Sequence, residues 1–573
     1  KKKQEDPTEV QALDADLRRV VGSPEGRARL AILEACRGAI IERKGQLSVT
    51  AYTSALLSSL GHAAEEEVTQ SVIYLLGHML THLPESMMRG RFPVMADALL
   101  DAIERHPESA AVARHALHAL STAIAAQEDA AWGSPQMTRA IGVMLTHTTD
   151  ARPKIRKAAQ TIVLSLVGGE GVAKAARSHL EGRTVHFCGQ VFKSCTSADA
   201  VSAQHLLGMV RELAPVLSAK PLAALAQHVA ALLAVDSKGI FVQVCGALEA
   251  VLRFGDTSLL APKALAGIAA AAMGREPAPL GMGGGNSEAH EAYVALLSAL
   301  LDKYSAADPD ACGALVPQVF SAVSNYCLPS GSETLPVAAA NMLCQLIDIF
   351  VPHEDKKVSK PVVQMIAQAE SLLHPRHKAT LHCLLPVAQS FLNRLRANAR
   401  PALDKMVLAL VALVPAVQGL PPAAQEQLDK ALGAALLHVG PEGFLQIAPV
   451  FATAPAVDLS NRQNRTWLLP ILRKHVRGAP MGFFTAHLLP VADHLVKQAV
   501  VADGQKRPVE AKNLMMVHEQ IWGLLPSFMT DCTDISTAFP PFAQRLGMTL
   551  EQEPALRTSC CSALLAAIKS SRA

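Results

Sequence analysis

His78 and His82 stand four residues apart, the spacing at which two ring nitrogens on one helix face can share a metal. A zinc hydrolase of that type needs the Glu of His-Glu-x-x-His, and Met79 occupies its place. The pair therefore reads as two ordinary helix histidines. Gly281-Met-Gly-Gly-Gly-Asn286 is glycine-rich, yet it lacks the Gly-Lys-Ser/Thr ending of a phosphate loop and follows no strand, so it reads as a loop. His374-Pro-Arg-His377 falls at a helix boundary, where a polar cap accounts for it. No Gly-x-Ser-x-Gly is present, and the 11 cysteines include no Cys-x-x-Cys. In a chain this large they read as reduced and buried, the vicinal Cys560 and Cys561 included. The expectation is a protein with no catalytic residue, metal site, cofactor or small-molecule substrate.

Basic clusters are the remaining chemistry. Arg152, Lys154, Arg156 and Lys157 crowd together; Arg394, Arg396 and Arg400 form a second group, Arg473, Lys474 and Arg477 a third, Lys506 and Arg507 a fourth. Several such patches along one ridge would track a phosphate backbone by displacing its counterions. The net charge is only +3, so no whole-protein field draws nucleic acid and any contact must be local. Lys154, Lys157, Arg394, Arg396, Arg473 and Lys474 are the RNA-contact candidates; a solvated helix face is the competing account.

These residues need elements to position them. Half of the 573 residues are hydrophobic, led by the strong helix formers Ala and Leu, and only 4% are aromatic. Ala113, Leu117, Leu120 and Ile124 repeat at helical spacing, as do Phe484, Leu488, Val491 and Leu495. Arg183 to Phe192 is the main stretch where helix and strand cannot be told apart. About 26 helical segments, or about 13 antiparallel pairs of about 44 residues, fit the period of a stacked-helix array. A chain of this length exceeds what a single core serves, about 250–300 residues. Leu-Leu-Pro recurs at 384–386, 468–470, 488–490 and 524–526 in helical pattern, which predicts kinked outer helices. Residues 1–274 and 288–573 are expected to form one continuous array around a Gly/Pro-rich loop at 275–287. A polar loop is expected at 503–508. The last helix lacks a polar capping repeat, so more array is expected to follow. The longest uncharged apolar run, Met406 to Val417, is broken by Pro415 and too short for a membrane, and a soluble protein is expected.

Asp150-Ala-Arg-Pro-Lys-Ile-Arg156-Lys-Ala-Ala159 resembles the HEAT-repeat signature, and Pro554-Ala-Leu-Arg557-Thr-Ser-Cys560 is a second copy. The fold expected is all-α, a HEAT/armadillo-like solenoid coiled into a curved superhelix. In such arrays the signature arginine bonds to an Asp or a carbonyl of the adjoining repeat, the role assigned to Arg156 and Arg557, with Asp150 as a structural partner. Further along come Val439-Gly-Pro-Glu-Gly-Phe444, Arg465-Thr-Trp-Leu-Leu-Pro470, Gly482-Phe-Phe-Thr485, Gln520-Ile-Trp-Gly523, Cys532-Thr-Asp534 and Glu553-Pro-Ala-Leu-Arg557. In that order these blocks resemble the ribosomal RNA processing protein 12 family, as its N-terminal and central part. Between Gly168 and Pro262 only the repeat pattern is compatible. The resemblance implies a nuclear, mainly nucleolar scaffold that shuttles to the cytoplasm and acts on small-subunit precursors, in pre-rRNA processing and subunit export. It implies pre-ribosomal RNA and assembly proteins as partners, with Ran and nucleoporins. Trp467, Phe483, Phe484 and Trp522 read as packing anchors, since large aromatics dominate buried area. The rival reading is a karyopherin-type transport receptor binding Ran and cargo. A cytoplasmic scaffold such as a phosphatase subunit is a third.

Overall fold

The computed structural model describes residues 8–19, 23–169, 174–196, 200–235, 238–254, 260–275, 287–327, 333–352, 358–395, 399–417, 422–453 and 457–570. Among them there is no strand, and no helix is long and apolar enough to cross a membrane. The protein is a HEAT-type α-solenoid of stacked helix pairs. It divides into two compact units: unit 1 is Lys1–Pro277 with Ala295–Asp308, and unit 2 is Ala278–Val294 with Pro309–Ala573. The glycine-rich segment, at 276–286, lies outside the described residues.

In unit 1, α1 (Thr8–Arg19) packs on the start of a two-layer stack. One layer holds α2 (Pro24–Glu42), α4 (Glu66–His82), α6 (Ala110–Ala125), α8 (Pro153–Gly168), α10 (Val201–Leu213) and α12 (Lys238–Phe254). The other holds α3 (Val49–His62), α5 (Glu85–Arg105), α7 (Pro135–His147), α9 (Lys174–Ser194), α11 (Ala219–Ala231) and α13 (Pro262–Met273). Arg183 to Phe192 is thus helix, inside α9.

Local chemistry sets the boundaries. Ser23, Ser48, Ser109 and Ser134 each accept a hydrogen bond from the backbone N–H three residues on, satisfying one orphan donor of α2, α3, α6 and α7. Prolines open α2, α7 and α8, where their missing N–H costs nothing. Small residues then set the approach: a Cβ at Gly77 of α4 would lie 3.8 Å from that of Ala119 on α6. Leu117 and Leu120 are fully buried in that seam, each contributing about 1.5–3 kcal/mol of transfer free energy.

Helix α14 (Ser287–Ala307) has residues in both units. In unit 2 one layer runs α16 (Thr334–Phe350), α18 (Leu381–Leu395), α20 (Pro422–His438) and α22 (Leu468–His475), then α26 (Leu525–Met529) and α28 (Arg557–Ser570). The other begins with α15 (Pro309–Ser324), α17 (Lys360–Leu372), α19 (Asp404–Val417) and α21 (Pro441–Ile447). Short α23 (Met481–Phe483) leads through a π turn, Phe484–Leu488, into α24 (Leu489–Gly504), which forms a tight hairpin with α25 (Pro508–Trp522). Helix α27 (Ile535–Gln552) completes the unit.

The recurring Leu-Leu-Pro does not have a single meaning. Pro386 lies inside α18, as a kinking proline should, but Pro470 and Pro526 sit in the first turns of α22 and α26. A proline there removes an N–H that has no helical partner anyway. Pro490 follows the π turn directly, and such a turn re-registers the ladder around the missing donor. The polar loop expected at 503–508 shrinks to the turn between Gly504 and Pro508, with Lys506 at φ 58°.

Candidate nucleic-acid interface

Helix α6 has α4 and α8 on its flanks and α5 beneath it, which leaves one outward stripe. Arg114 and His118 are exposed on that stripe. On α8 the core takes Ile155, Ala159, Ile162, Val163 and Leu166, so the outward positions fall to Lys154, Lys157, Thr161 and Ser165. Lys154 and Lys157 are exposed one turn apart, about 4.5 Å along the axis. Neither makes an ion pair among the described residues.

Neither α6 nor α8 contains an acidic residue. Their partners beneath differ: α5 carries Glu85, Asp97, Asp101 and Glu104, and Arg139 of α7 pairs with the last two at 3.2 and 2.8 Å. The acid-free stretch is thus local to α6 and α8, since α2 and α4 of the same layer carry Glu25, Glu34, Glu66 and Glu67. His115 of α6 lies edge-on to Tyr74 at 5.5 Å between ring centroids. Burial, then the charges of Arg114 and Arg29, push its pKa down to about 4, so it is neutral at pH 7.

The HEAT-like turn before α8 is stapled by its own arginines. Asp150 accepts from the Arg152 backbone N–H at 2.8 Å and from its guanidinium at 2.9 and 3.0 Å. The Arg152 hydrogen bond holds the Asp150 carboxyl below its usual range, against the opposing effect of burial. Arg152 also donates to the Pro107 carbonyl, 45 residues back. Arg156 donates to the carbonyls of Asp150 and Ala151, and Arg557 to those of Leu550 and Glu551. Both signature arginines therefore fold back over the turn of their own helix pair, and at the Asp150 turn the reach to the adjoining repeat belongs to Arg152.

The other basic candidates part ways. Arg394 is half-buried, with its guanidinium on the Asp348 carbonyl. Lys474 bonds to Asp429 of α20, which also accepts from His475 at 2.9 Å. A Cβ at Gly433 would meet the His475 ring at 2.5 Å, so this fastener requires that glycine. Burial raises the Asp429 pKa, but the bonds from Lys474 and His475 outweigh it and leave the carboxyl low. Arg473 and Arg477 are exposed, while Arg396 lies outside the described residues.

Among the aromatic candidates, Phe484 and Trp522 are fully buried, Trp522 stacked on Phe542 at 6.1 Å. Phe483 is half-buried, between His487 at 4.7 Å and Phe528 at 6.3 Å. Trp467 is also only half-buried, and it lines a cleft. The vicinal cysteines split, Cys560 inward and Cys561 outward. Burial pushes the Cys188 and Cys245 thiols up to about 12, which makes them inert as nucleophiles. Among the described residues no three His, Cys, Asp or Glu gather as a metal site.

One contact joins two of the sequence blocks that carried the family resemblance. Asp534, of Cys532-Thr-Asp534, accepts from the backbone N–H groups of Met481 and Gly482 at 2.6 and 2.9 Å, capping the helical run that begins at α23. A Cβ on Gly482 would lie 2.8 Å from the Asp534 carboxylate. Two family models then account for most of the chain. The model described as "RRP12-like, N-terminal HEAT repeats" matches residues 22–258, and "Ribosomal RNA-processing protein 12, HEAT repeats" matches residues 329–573. The chain belongs to the ribosomal RNA-processing protein 12 family. The first RRP12 model runs through 168–258, where the sequence offered only a repeat pattern.

The RRP12-like proteins of Gallus gallus and Homo sapiens are each 27% identical over 93% of the chain. Ribosomal RNA-processing protein 12 of Saccharomyces cerevisiae is 22% identical over 87%. The chain spans 42–43% of the length of these curated relatives. Among solved structures, the karyopherin Kap121p bound to the SUMO protease Ulp1p aligns over 99% of this chain and 57% of its own, at 13% identity and a TM-score of 0.45. At that score the likeness decides nothing about function.

Proposed function

We propose that this chain is a non-catalytic scaffold of ribosome biogenesis, working in the nucleolus on small-subunit precursors through pre-rRNA processing and subunit export. In this reading it holds pre-ribosomal RNA by its phosphates along the α6–α8 stripe and holds assembly proteins elsewhere on the stack. The observation that carries the RNA contact is the pair of adjacent helices that expose Arg114, Lys154 and Lys157 and hold no acidic side chain. Phosphate contacts of this kind position a strand without reading its sequence. Membership of the RRP12 family supports the wider role. Of the six basic candidates, Lys154 and Lys157 are the strongest and Arg473 the next. Arg394 and Lys474 serve the fold, because their charge is already engaged between repeats.

The test is the affinity of the purified chain for single-stranded RNA as a function of salt. For single strands the logarithm of affinity falls with that of salt by about 0.7 per phosphate neutralised. Lys154→Glu with Lys157→Glu should weaken binding about ten-fold or more at 0.1 M salt and flatten that slope by about one or two. Unchanged affinity and slope would remove the stripe from the RNA contact. RNA recovered with the chain from cell extract should be enriched in small-subunit precursors, and recovery of none would count against the biogenesis role.

A further inference from the structure

Trp467 stands where the loop of residues 457–467 enters α22, and it is only half-buried although large aromatic rings bury about 150–250 Å² each when packed, among the most of any side chain. It faces a cleft of about 770 Å³. One wall is apolar, made by Leu408, Val411 and Pro415 of α19; the other carries Trp467 with Arg462 and Arg465. Leu408 keeps 42% of its surface exposed there. No Asp or Glu lines the cleft. Asn464 is occupied in holding the loop: its amide oxygen accepts from the Ala452 N–H at 3.0 Å, and its amide nitrogen donates to the Asp458 carbonyl at 2.7 Å. Arg465 spends one donor on the Pro449 carbonyl at 3.1 Å. The Arg462 and Gln463 side chains are exposed, with no such duty among the described residues.

An aromatic face, an apolar wall, a free guanidinium, a free amide and no acid together define a ligand. It has a flat body, polar edges and an attached negative charge. We infer that the cleft takes one unpaired RNA base, stacked on the Trp467 indole, with Arg462 at the adjoining phosphate and Gln463 within reach of the base edge. Stacking on an aromatic ring is sequence-tolerant because every base has a π face. The volume is within the range of about 300–1,000 Å³ that small-molecule sites occupy. An acidic peptide would satisfy the arginines but would gain less from a flat indole, so the two ligands can be separated by experiment. The inference rests on the RNA reading above and adds a base-stacking subsite to a phosphate-binding surface.

The protein supplies its own probe. It has three tryptophans, and Trp132 and Trp522 are each only 1% exposed, so a small quencher in solution reaches Trp467 almost alone. Titrating the whole chain with hexauridylate should quench tryptophan emission and shield Trp467 from acrylamide. An abasic hexamer of equal charge should bind more weakly and leave the emission unchanged. Trp467→Phe should abolish the signal, and Trp467→Ala should weaken hexauridylate binding on the order of ten-fold, as loss of one stacked base does. Arg462→Glu should weaken it as well, with Trp467 emission in the free protein unaltered. Hexamer binding seen by anisotropy with no change at Trp467 would overturn the subsite and leave the RNA reading standing. Absence of hexamer binding altogether would overturn both. Quenching by a glutamate-rich peptide, with none by RNA, would make the cleft a peptide site instead.

Discussion

Arg105 and Asp534 both tie one helix pair to another, but they do so with different chemistry and in different units. Exposed Arg105 reaches from the end of α5 to carbonyls at the end of α3, including Leu60 at 2.9 Å. Arg89 does likewise with Ala126 at 2.8 Å, Arg152 with Pro107 and Arg177 with Val216. Side-chain bonds of this kind in unit 1 join residues 37 to 45 apart in sequence, which is the repeat length itself. Flexible arginines ending on carbonyls ask little of their targets, because every residue has a carbonyl. Toward the end of unit 2 two of the fasteners are carboxylates: Asp534 sits against Gly482, and Asp429 holds the His475 ring against Gly433, neither glycine leaving room for a Cβ. Their partners lie 45 to 53 residues away, so the repeat is longer there as well. The arginine contacts of unit 1 tolerate sequence change, and the carboxylate contacts at Asp429 and Asp534 specify it. Unit 1 also holds one contact of the second kind, in buried Glu181, which accepts from Ser218.

Breaking that contrast should give unequal losses. Asp534→Ala leaves two N–H groups at the start of α23 unpaired and should cost about 1–3 kcal/mol, read as a lower denaturant midpoint for unit 2. Gly482→Ala should cost a similar amount, because its Cβ displaces the same carboxylate. If the two residues act as one device, the double variant will lose little more than either single one. A fully additive loss would dissolve the device. Arg105→Ala should cost about 0.5–1.5 kcal/mol, since an exposed guanidinium leaves its target carbonyls open to water. A loss equal to that of Asp534→Ala would erase the distinction.

Acid sharpens the comparison. The His115 pKa is depressed in the folded state to about 4, from 6.5. Folding therefore favours its neutral form, and the stability it contributes is complete above pH 6.5 and lost as pH falls toward 4. His115→Phe keeps an edge-to-face ring on Tyr74 and should flatten the stability of unit 1 over that interval. Asp429 and Asp534 also have depressed values, so their contribution to unit 2 persists above about pH 4 and fades below it. Asp534→Asn should change the stability of unit 2 only modestly in its pH dependence above pH 5, and should remove part of the loss below pH 4. A pH profile of unit 1 left unaltered by His115→Phe would refute the burial argument for that histidine.

The same contrast explains what could be read without coordinates. The helices and their period follow from apolar spacing alone, as at Ala113, Leu117, Leu120 and Ile124, all buried. The family blocks were legible in unit 2, where Gly482 and Asp534 meet through contacts that depend on side-chain identity. At 168–258 the bond from Arg177 to the Val216 carbonyl demands only a backbone atom of its target, and such a contact leaves no residue pattern to read. The sites were read less well. Lys154 and Lys474 look alike in sequence, and only the fold shows that Asp429, 45 residues earlier, claims the second. In sequence Trp467 reads as a packing anchor like Trp522, because exposure is not written in residue type. The polar run Arg462-Gln-Asn-Arg-Thr before it was the available signal. Proline posed the same problem, since Pro386 and Pro526 share a motif and differ only in where their helix begins.

Ultraviolet crosslinking of bound RNA to the intact protein, with the attachment sites read by mass spectrometry, tests the central claim most directly. Adducts should concentrate on peptides of α6 and α8 around Arg114, Lys154 and Lys157, and on the loop ending at Trp467. Adducts centred instead on Arg89, Arg105 and Arg139, whose charge is spent within the stack, would contradict the account.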